Sequence, residues 1–326
     1  MNFENCSVIV VTPVYEDVEA SSRLFRELTA QFNHDVFLVA VDDGSVKQPL
    51  LIGALEDAGI KGVILRLRRN VGHQRAIAIG LWYVSERIKS QQRVVVMDSD
   101  GEDLPSTIPN LLDELMSDDV DIVVAQRKSR VESMRFKVFY LIYKLFFSVM
   151  TGRLISFGNF MVLKASSVQR LVVMQELPIH VAAAVLASKL RTKICPLHRG
   201  PRYAGQSKMN FVGLVLHGFK GLMVFAEDVL VRVGIACVLI ASMTIVGAMV
   251  AASLKLFGVA TPGWFSVALG LLFLMLLQTI VLAIMTLMTL MLTGVVRGGT
   301  IATVIAYHDF VEKVIETNIK TYANSN

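Results

Sequence analysis

Apolar positions along the chain follow two regimes. Over the first 126 residues, short β-rich runs (Val8–Thr12, Val36–Val41, Gly62–Leu65, Arg93–Met97 and Asp121–Ala125) alternate with helix-length amphipathic segments. In His73–Lys89, for example, Ile77, Leu81, Val84 and Ile88 fall on one helical face. Alternating strands and helices predict an α/β fold with a mostly parallel sheet, whose ligand site lies at the carboxyl ends of the strands. Chemistry is therefore expected just after Thr12, Val41, Leu65 and Met97.

The second regime is continuously apolar. Val233–Leu254 is 22 residues without a charge, enough for about 30 Å of hydrocarbon. Lys255 and Thr261-Pro262-Gly263 interrupt it, and a second span is expected at Phe265–Leu292. A buried helix hairpin of a soluble protein is the competing reading. Lys208, Lys220 and Arg232 precede the pair and Arg297 and Lys313 follow it, which predicts cytoplasmic termini. Met134–Met150 mixes Phe, Leu and Ile with Arg135, Lys137, Lys144, Tyr140 and Tyr143, a pattern suited to the headgroup layer. Asn210–Phe225 is similar with less charge, and either could equally be a core helix. The expected organisation is a soluble domain over 1–208, a juxtamembrane helix over 209–228, a two-helix hairpin over 229–296 and a cytoplasmic tail over 297–326. The apolar run Val8–Val11 is too short for a signal peptide.

Composition sharpens this division. With 54% apolar and 18% charged residues, the chain is too oily for a soluble enzyme and too polar to lie wholly in a bilayer. Residues 1–126 hold 11 Lys/Arg against 20 Asp/Glu, a net of −9; residues 127–220 hold 16 against 2, a net of +14; residues 221–326 hold 5 of each. The basic surplus leads into the most apolar part of the chain, which points to phosphates or a membrane surface and away from nucleic acid. Cys6, Cys195 and Cys237 fit neither a zinc spacing nor a disulfide framework, so a reducing compartment is expected.

Neither G-x-G-x-x-G nor G-x-x-x-x-G-K-[ST] is present, so dinucleotide-binding and P-loop readings lose their main support. The first strand runs into Thr12-Pro13-Val14-Tyr15-Glu16, and the second ends in Val41-Asp42-Asp43-Gly44-Ser45. Carboxylates there can accept hydrogen bonds from a nucleobase or ribose, and a tyrosine can stack on a base; Asp-Asp-Gly-Ser is equally a turn with a helix cap. The fourth strand leads into Asp98-Ser99-Asp100-Gly101-Glu102-Asp103. If the chain stays extended, Asp98, Asp100 and Glu102 converge on one Mg²⁺ or Mn²⁺ ion, which would also hold substrate phosphates.

Pro-Val-Tyr-Glu, Val-Asp-Asp-Gly-Ser, Arg69-Asn70-Val71-Gly72 and Asp-Ser-Asp-Gly-Glu-Asp, in that order, resemble the family 2, GT-A-type glycosyltransferases. The basic segment Arg199-Gly200-Pro201-Arg202-Tyr203-Ala204-Gly205-Gln206-Ser207-Lys208 looks like that of the polyprenyl-phosphate sugar transferases, the group of dolichol-phosphate mannose synthase and bacterial undecaprenyl-phosphate glucosyltransferases. Bacterial members of that group carry a C-terminal pair of membrane helices. The resemblance implies a GT-A nucleotide-sugar-binding domain with the nucleotide on Pro13, Tyr15, Glu16, Asp42, Asp43, Asn70 and Gly72. It implies metal on Asp98, Asp100 and Glu102, Arg127 beside the phosphates, and Arg199, Arg202, Ser207 and Lys208 on the lipid phosphate or donor diphosphate.

The implied activity is metal-dependent, inverting transfer from a nucleotide sugar to a polyprenyl phosphate, undecaprenyl phosphate above all. The setting would be the cytoplasmic face of a bacterial inner membrane. A UDP-sugar is favoured over a GDP-sugar, and a homo-oligomer is compatible with the resemblance. Two departures stand out. The usual Asp-Leu-Gln-Asp reads Asp-Gly-Glu-Asp here, and Gly-Asp-Phe-Arg reads Gly158-Asn159-Phe160-Met161. Asn159 thus occupies a catalytic position without the acid, so a general-base role does not carry over to it. A phosphate acceptor tolerates this, because a monophosphate ester with a second pKa of about 6 is already anionic. A hydroxyl acceptor would need a base, for which Asp103 is the nearby candidate, and a non-catalytic membrane scaffold is a further alternative.

Overall fold

A computed structural model describes residue 3 and residues 6–127, 134–203, 211–299 and 307–318. The chain divides into two compact units: one of residues 1–144, 154–224 and 305–326, the other of residues 145–153 and 225–304.

The first unit is built on an eight-stranded mixed sheet. In chain order its strands are β1 (Val8–Val14), β2 (Val36–Asp42), β3 (Lys61–Leu67), β4 (Arg93–Val96), β5 (Ile122–Arg127), β6 (Met161–Lys164), β7 (Thr192–Leu197) and β8 (Val311–Glu316), and their order across the sheet is β7-β5-β6-β4-β1-β2-β3-β8. β1 pairs in parallel with β2 and β4, β2 with β3, and β5 with β7; β6 and β8 run antiparallel to their neighbours. The predicted α/β class with a mostly parallel sheet holds.

Every residue of β1 and β2 is buried, as in a sheet covered on both faces. Alternate side chains feed separate cores. Ile9, Val11, Val39, Val41 and Leu65 pack with α3 (His73–Ser85), α6 (Ala165–Val172) and α7 (Val181–Ala187). Val8, Val10, Leu38, Ala40 and Ile64 pack with α1 (Val18–Phe32), α2 (Gly53–Asp57) and α4 (Ile108–Leu115).

The segment expected as a cytoplasmic tail is not one in its described part. Residues 311–316 form β8 against β3, and Gly62 N donates to Thr317 Oγ1 across 255 residues of sequence. Tyr307 is buried, its ring stacked on Trp82 and its hydroxyl hydrogen-bonded to Glu86. Periodicity alone did not reveal this strand, because an edge strand with one apolar face gives a short, charge-rich pattern.

Two further helices belong to this unit in whole or part. α5 (Met134–Thr151) matches the expected Met134–Met150, though the side chains of Arg135, Lys137 and Tyr140 lie outside the described residues. α8 (Phe211–Val224) turns Gly218, Gly221 and Val224 inward and leaves Val212, Leu216, Phe219 and Met223 exposed along one face. Gly218 lies under the Tyr143 ring, and Tyr143 OH donates to Gly218 O at 3.3 Å.

The second unit holds α9 (Ala226–Leu256) and α10 (Trp264–Gly299), which pack on each other. Their apolar stretches of 31 and 26 residues are long enough to cross a membrane. Barely a tenth of the first and less of the second is buried, which a soluble core hairpin would not tolerate. At its start, Arg153 pairs with Asp228 and lies over Phe225, and Arg232 Nη1 donates to Val149 O.

Candidate active site

The carboxyl ends of β1, β2, β3 and β4 form one rim. β1 carries Pro13 into it, and the Pro13 carbonyl accepts from Ser99 Oγ at 3.2 Å, tying β1 to the acidic turn after β4. Tyr15 follows with its ring exposed. Glu16 adopts a left-handed φ of 47°, uncommon outside glycine, and its carboxylate accepts from the N–H groups of Val46, Lys47 and Gln48 at 2.7–2.9 Å. The N–H of Lys47, then that of Val46, hold its pKa below the ordinary carboxylate range.

Asp42, the last residue of β2, and Asp43 after it act inside the protein. Asp42 is fully buried; its oxygens accept from Ser45 N and Leu50 N at 3.1 Å, and Arg66 Nε stands 3.6 Å away. Asp43 accepts from Val71 N at 2.7 Å and Gly72 N at 3.0 Å, and burial pushes its pKa up. These carboxylates pin the loop bearing Asn70 and Gly72 onto β2, while Gly44 at φ 68° lies so close to Arg69 that a Cβ would overlap its backbone. The seven residues expected at the nucleotide are therefore gathered, with Tyr15, Glu16 and Asn70 on the surface and Asp42 and Asp43 beneath.

After β4 the chain does not stay extended. Gly101, at φ 88°, turns it, Asp100 Oδ1 accepts from Glu102 N at 3.0 Å, and Asp103 Oδ2 accepts from Asp98 N at 3.1 Å. Asp98, Asp100 and Glu102 consequently do not converge: among the described residues no three His, Cys, Asp or Glu side chains are arranged to hold a metal ion. Asp98 faces His73, whose Nε2 is 3.1 Å from Asp98 Oδ1. Glu102 instead meets the basic segment. Its Oε1 accepts from Arg202 Nε at 3.1 Å, its Oε2 pairs with Arg199 Nη2, and Arg202 Nη2 lies 3.0 Å from Asp100 Oδ2.

The electrostatics still favour a cation at two of these carboxylates. Burial opposes the charge on Asp98, but His73, Arg199 and Arg127 outweigh it and lower its pKa. Burial and then Asp98 raise the pKa of Asp100, and the same causes push Asp103 up to about 7. Asp98 Oδ1 is buried and accepts no well-aligned hydrogen bond. A hard divalent ion held by Asp98 and Asp100 would relieve this crowding of negative charge.

Asn159, in the loop before β6, bridges the start of α3. Its Oδ1 accepts from Gln74 Nε2 at 3.3 Å, its Nδ2 is 3.1 Å from His73 Nε2, and Gln74 Oε1 accepts from Val181 N at 2.6 Å. Gln74 is thereby fixed as the donor, which orients the Asn159 amide. Burial disfavours the charged form of His73, yet Asp98, Asp100 and Asp43 raise its pKa. Arg127 ends β5 with its side chain exposed. Ser207 and Lys208 lie outside the described residues.

Sequence reasoning missed His73, Gln74 and Tyr203. His73 and Gln74 directly follow the Arg69–Gly72 motif, which was the available signal. Tyr203 sits in the basic segment; its hydroxyl donates to Glu27, and Arg23 lies 4.3 Å from its ring centroid.

Residues 9–166 match the family model for glycosyl transferase family 2. The chain is 30% identical over 220 residues to the undecaprenyl-phosphate 4-deoxy-4-formamido-L-arabinose transferase of Enterobacter sp. (strain 638), an alignment covering 64% of each protein. It is 27% identical over 137 residues to the dodecaprenyl-phosphate galacturonate synthase of Rhizobium johnstonii, covering 40% of this chain and 39% of that protein. The match thus spans less than two thirds of these relatives' length. Among solved structures, glucosyl-3-phosphoglycerate synthase of Mycobacterium tuberculosis with Mn²⁺ and UDP-glucose superposes with a TM-score of 0.49 at 13% identity, over 69% of this chain and 80% of that one.

Proposed function

We propose that this protein transfers a sugar from a nucleoside-diphosphate sugar, a UDP-sugar in preference to a GDP-sugar, to the phosphate of a polyprenyl phosphate at the cytoplasmic face of a bacterial inner membrane. The observation that carries this reading is one rim on which an exposed tyrosine, a carboxylate pair suited to a divalent ion and two arginines meet, in a chain with two helices long enough to span a bilayer.

In this mechanism Tyr15, Glu16 and Asn70 border the nucleotide, and Asp42 and Asp43 keep that border rigid from below. Asp98 and Asp100 would hold Mg²⁺ or Mn²⁺, which supplies charge neutralisation for the departing nucleoside diphosphate. Arg199 and Arg202, with Arg127 nearby, orient two anions that otherwise repel. The acceptor phosphate is its own nucleophile, so Asn159 at the position of an expected acid is tolerated: it accepts from Gln74 and moves no proton. Direct displacement inverts the anomeric centre.

The cytoplasmic side rests on the Lys and Arg residues that flank the helix pair. Two crossings return the chain to the side it left, as its return to the sheet unit after α10 requires. The exposed apolar stripe of α8, just before the first span, suits contact with the same lipid surface.

Incubating the full-length protein with a panel of nucleotide sugars, Mn²⁺ and undecaprenyl phosphate, and reading the lipid by mass spectrometry, tests this reading. A sugar–phospholipid product is expected; absence of product across the panel refutes it. The elevated pKa of Asp103, about 7, favours a second reading in which it serves as base for a hydroxyl acceptor. Transfer to a polyprenol in place of the phosphate would establish that one.

A further inference from the structure

The acidic turn and the basic segment close on each other. Tyr203 N donates to Asp100 O at 2.9 Å and Gly200 N donates to Glu102 O at 3.0 Å, a short backbone ladder. Arg202 then reaches both Asp100 and Glu102, and Arg199 pairs with Glu102. Arg199 Nε, by contrast, is buried and makes no hydrogen bond. Tyr203 holds the segment from behind through Glu27 and Arg23. Glu102 therefore sits between two guanidinium groups as a phosphate would, leaving one buried donor unused.

We propose that Glu102 is an internal stand-in for phosphate, occupying Arg199 and Arg202 until an anionic phosphate group displaces it, and that it is a positioning residue and not a metal ligand. This rests on the reading of those arginines as phosphate-binding. Carboxylate and phosphate both match the planar guanidinium fork, so one can replace the other without rebuilding the site. Keeping the arginines paired avoids two uncompensated charges in a partly buried place and holds their side chains in order. The incoming phosphate also gains the donor at Arg199 Nε, which Glu102 does not satisfy. The competition sets an affinity penalty on any anion too weak to displace Glu102.

The test measures binding of inorganic pyrophosphate to the full-length protein in detergent with divalent ions chelated, and separately binding of Mn²⁺ alone. Glu102→Gln removes the competing charge at constant shape, so pyrophosphate should bind about tenfold more tightly. Mn²⁺ binding should stay within about twofold of wild type, whereas Asp100→Asn weakens it about tenfold or more. In the Glu102→Gln/Arg199→Gln double variant the gain should vanish, and thermal melting of each variant checks that it is folded. Loss of Mn²⁺ binding in Glu102→Gln, or no tightening toward pyrophosphate, overturns the proposal. If Arg199→Gln and Arg202→Gln leave pyrophosphate binding unchanged, the phosphate reading of the arginines fails and takes the proposal with it; if they weaken it while Glu102→Gln changes nothing, the role of Glu102 alone is refuted.

Discussion

His180 caps the start of α7, where its Nδ1 accepts from Ala183 N at 3.2 Å, and its ring lies 4.4 Å from that of His217 on α8. It is almost wholly buried, and burial, then His217, drive its pKa down to about 3. The other charged groups facing this pair are Lys220 on α8 and His73 and Asp98 across the site. In the unfolded chain the imidazole titrates near its ordinary value of 6.5, so below that pH the unfolded state binds a proton that the folded state refuses. Stability is then full above the unfolded pKa and falls as pH drops toward the folded one. Between pH 7.5 and pH 5 the linkage amounts to about 2 kcal/mol, or roughly 4–8 °C in melting temperature for a domain of this size. His217, whose pKa is also lowered by burial, adds a smaller loss of the same sign. His180→Asn keeps an N-cap acceptor but removes the titrating ring, and should cost about 1 kcal/mol at neutral pH. Thermal melts of the full-length protein in detergent at the two pH values measure this. Wild type should lose about 2 kcal/mol more than the variant on acidification. Equal losses would show that His180 is not held neutral in the fold and refute the reasoning.

Gly101→Ala places a Cβ 2.6 Å from the Tyr203 ring at a φ of 88°, so the acidic turn must move; transfer should fall at least about tenfold while the melting temperature drops by a few degrees at most. Arg202→Glu sets a third acid against Asp100 and Glu102, and transfer should be abolished while thermal melting shows the protein still folded; normal turnover would displace Arg202 from the site. Asp121 is held down to about 2 by a two-pronged pair with Arg191, so its stabilisation is complete above its unfolded pKa of 3.8 and lost as pH falls through 2; Asp121→Asn should cost about 1 kcal/mol at neutral pH once solvent screening is allowed for, and nothing near pH 2. Tyr307→Ala removes the ring on Trp82 and the hydroxyl on Glu86; a loss of about 3 kcal/mol and faster amide exchange in β8 and β3 are expected, and unchanged exchange would show that Tyr307 does not anchor the edge strand.

Local pattern and tertiary contact divide this protein between them. The short β-rich runs of β1 to β5 and the uncharged stretches of α9 and α10 are signals of burial or lipid exposure written in the chain, so the sheet and the helix pair are legible in the sequence itself. So is the rim, because a parallel sheet places whatever follows its strands at one end. Burial of Asp42 beside exposed Tyr15 is not legible, since both follow strands in polar motifs and the distinction lies in which lone pairs the loop N–H groups take. Nor is the partner of Glu102, which stands 100 residues away from Arg202, or that of β8, which pairs with β3. Spacing in the sequence offered Glu102 as a third ligand. A turn at Gly101 and a backbone ladder to the basic segment aim it at two arginines instead, because the direction of a side chain depends on the dihedral angles and neighbours that only the folded chain brings together.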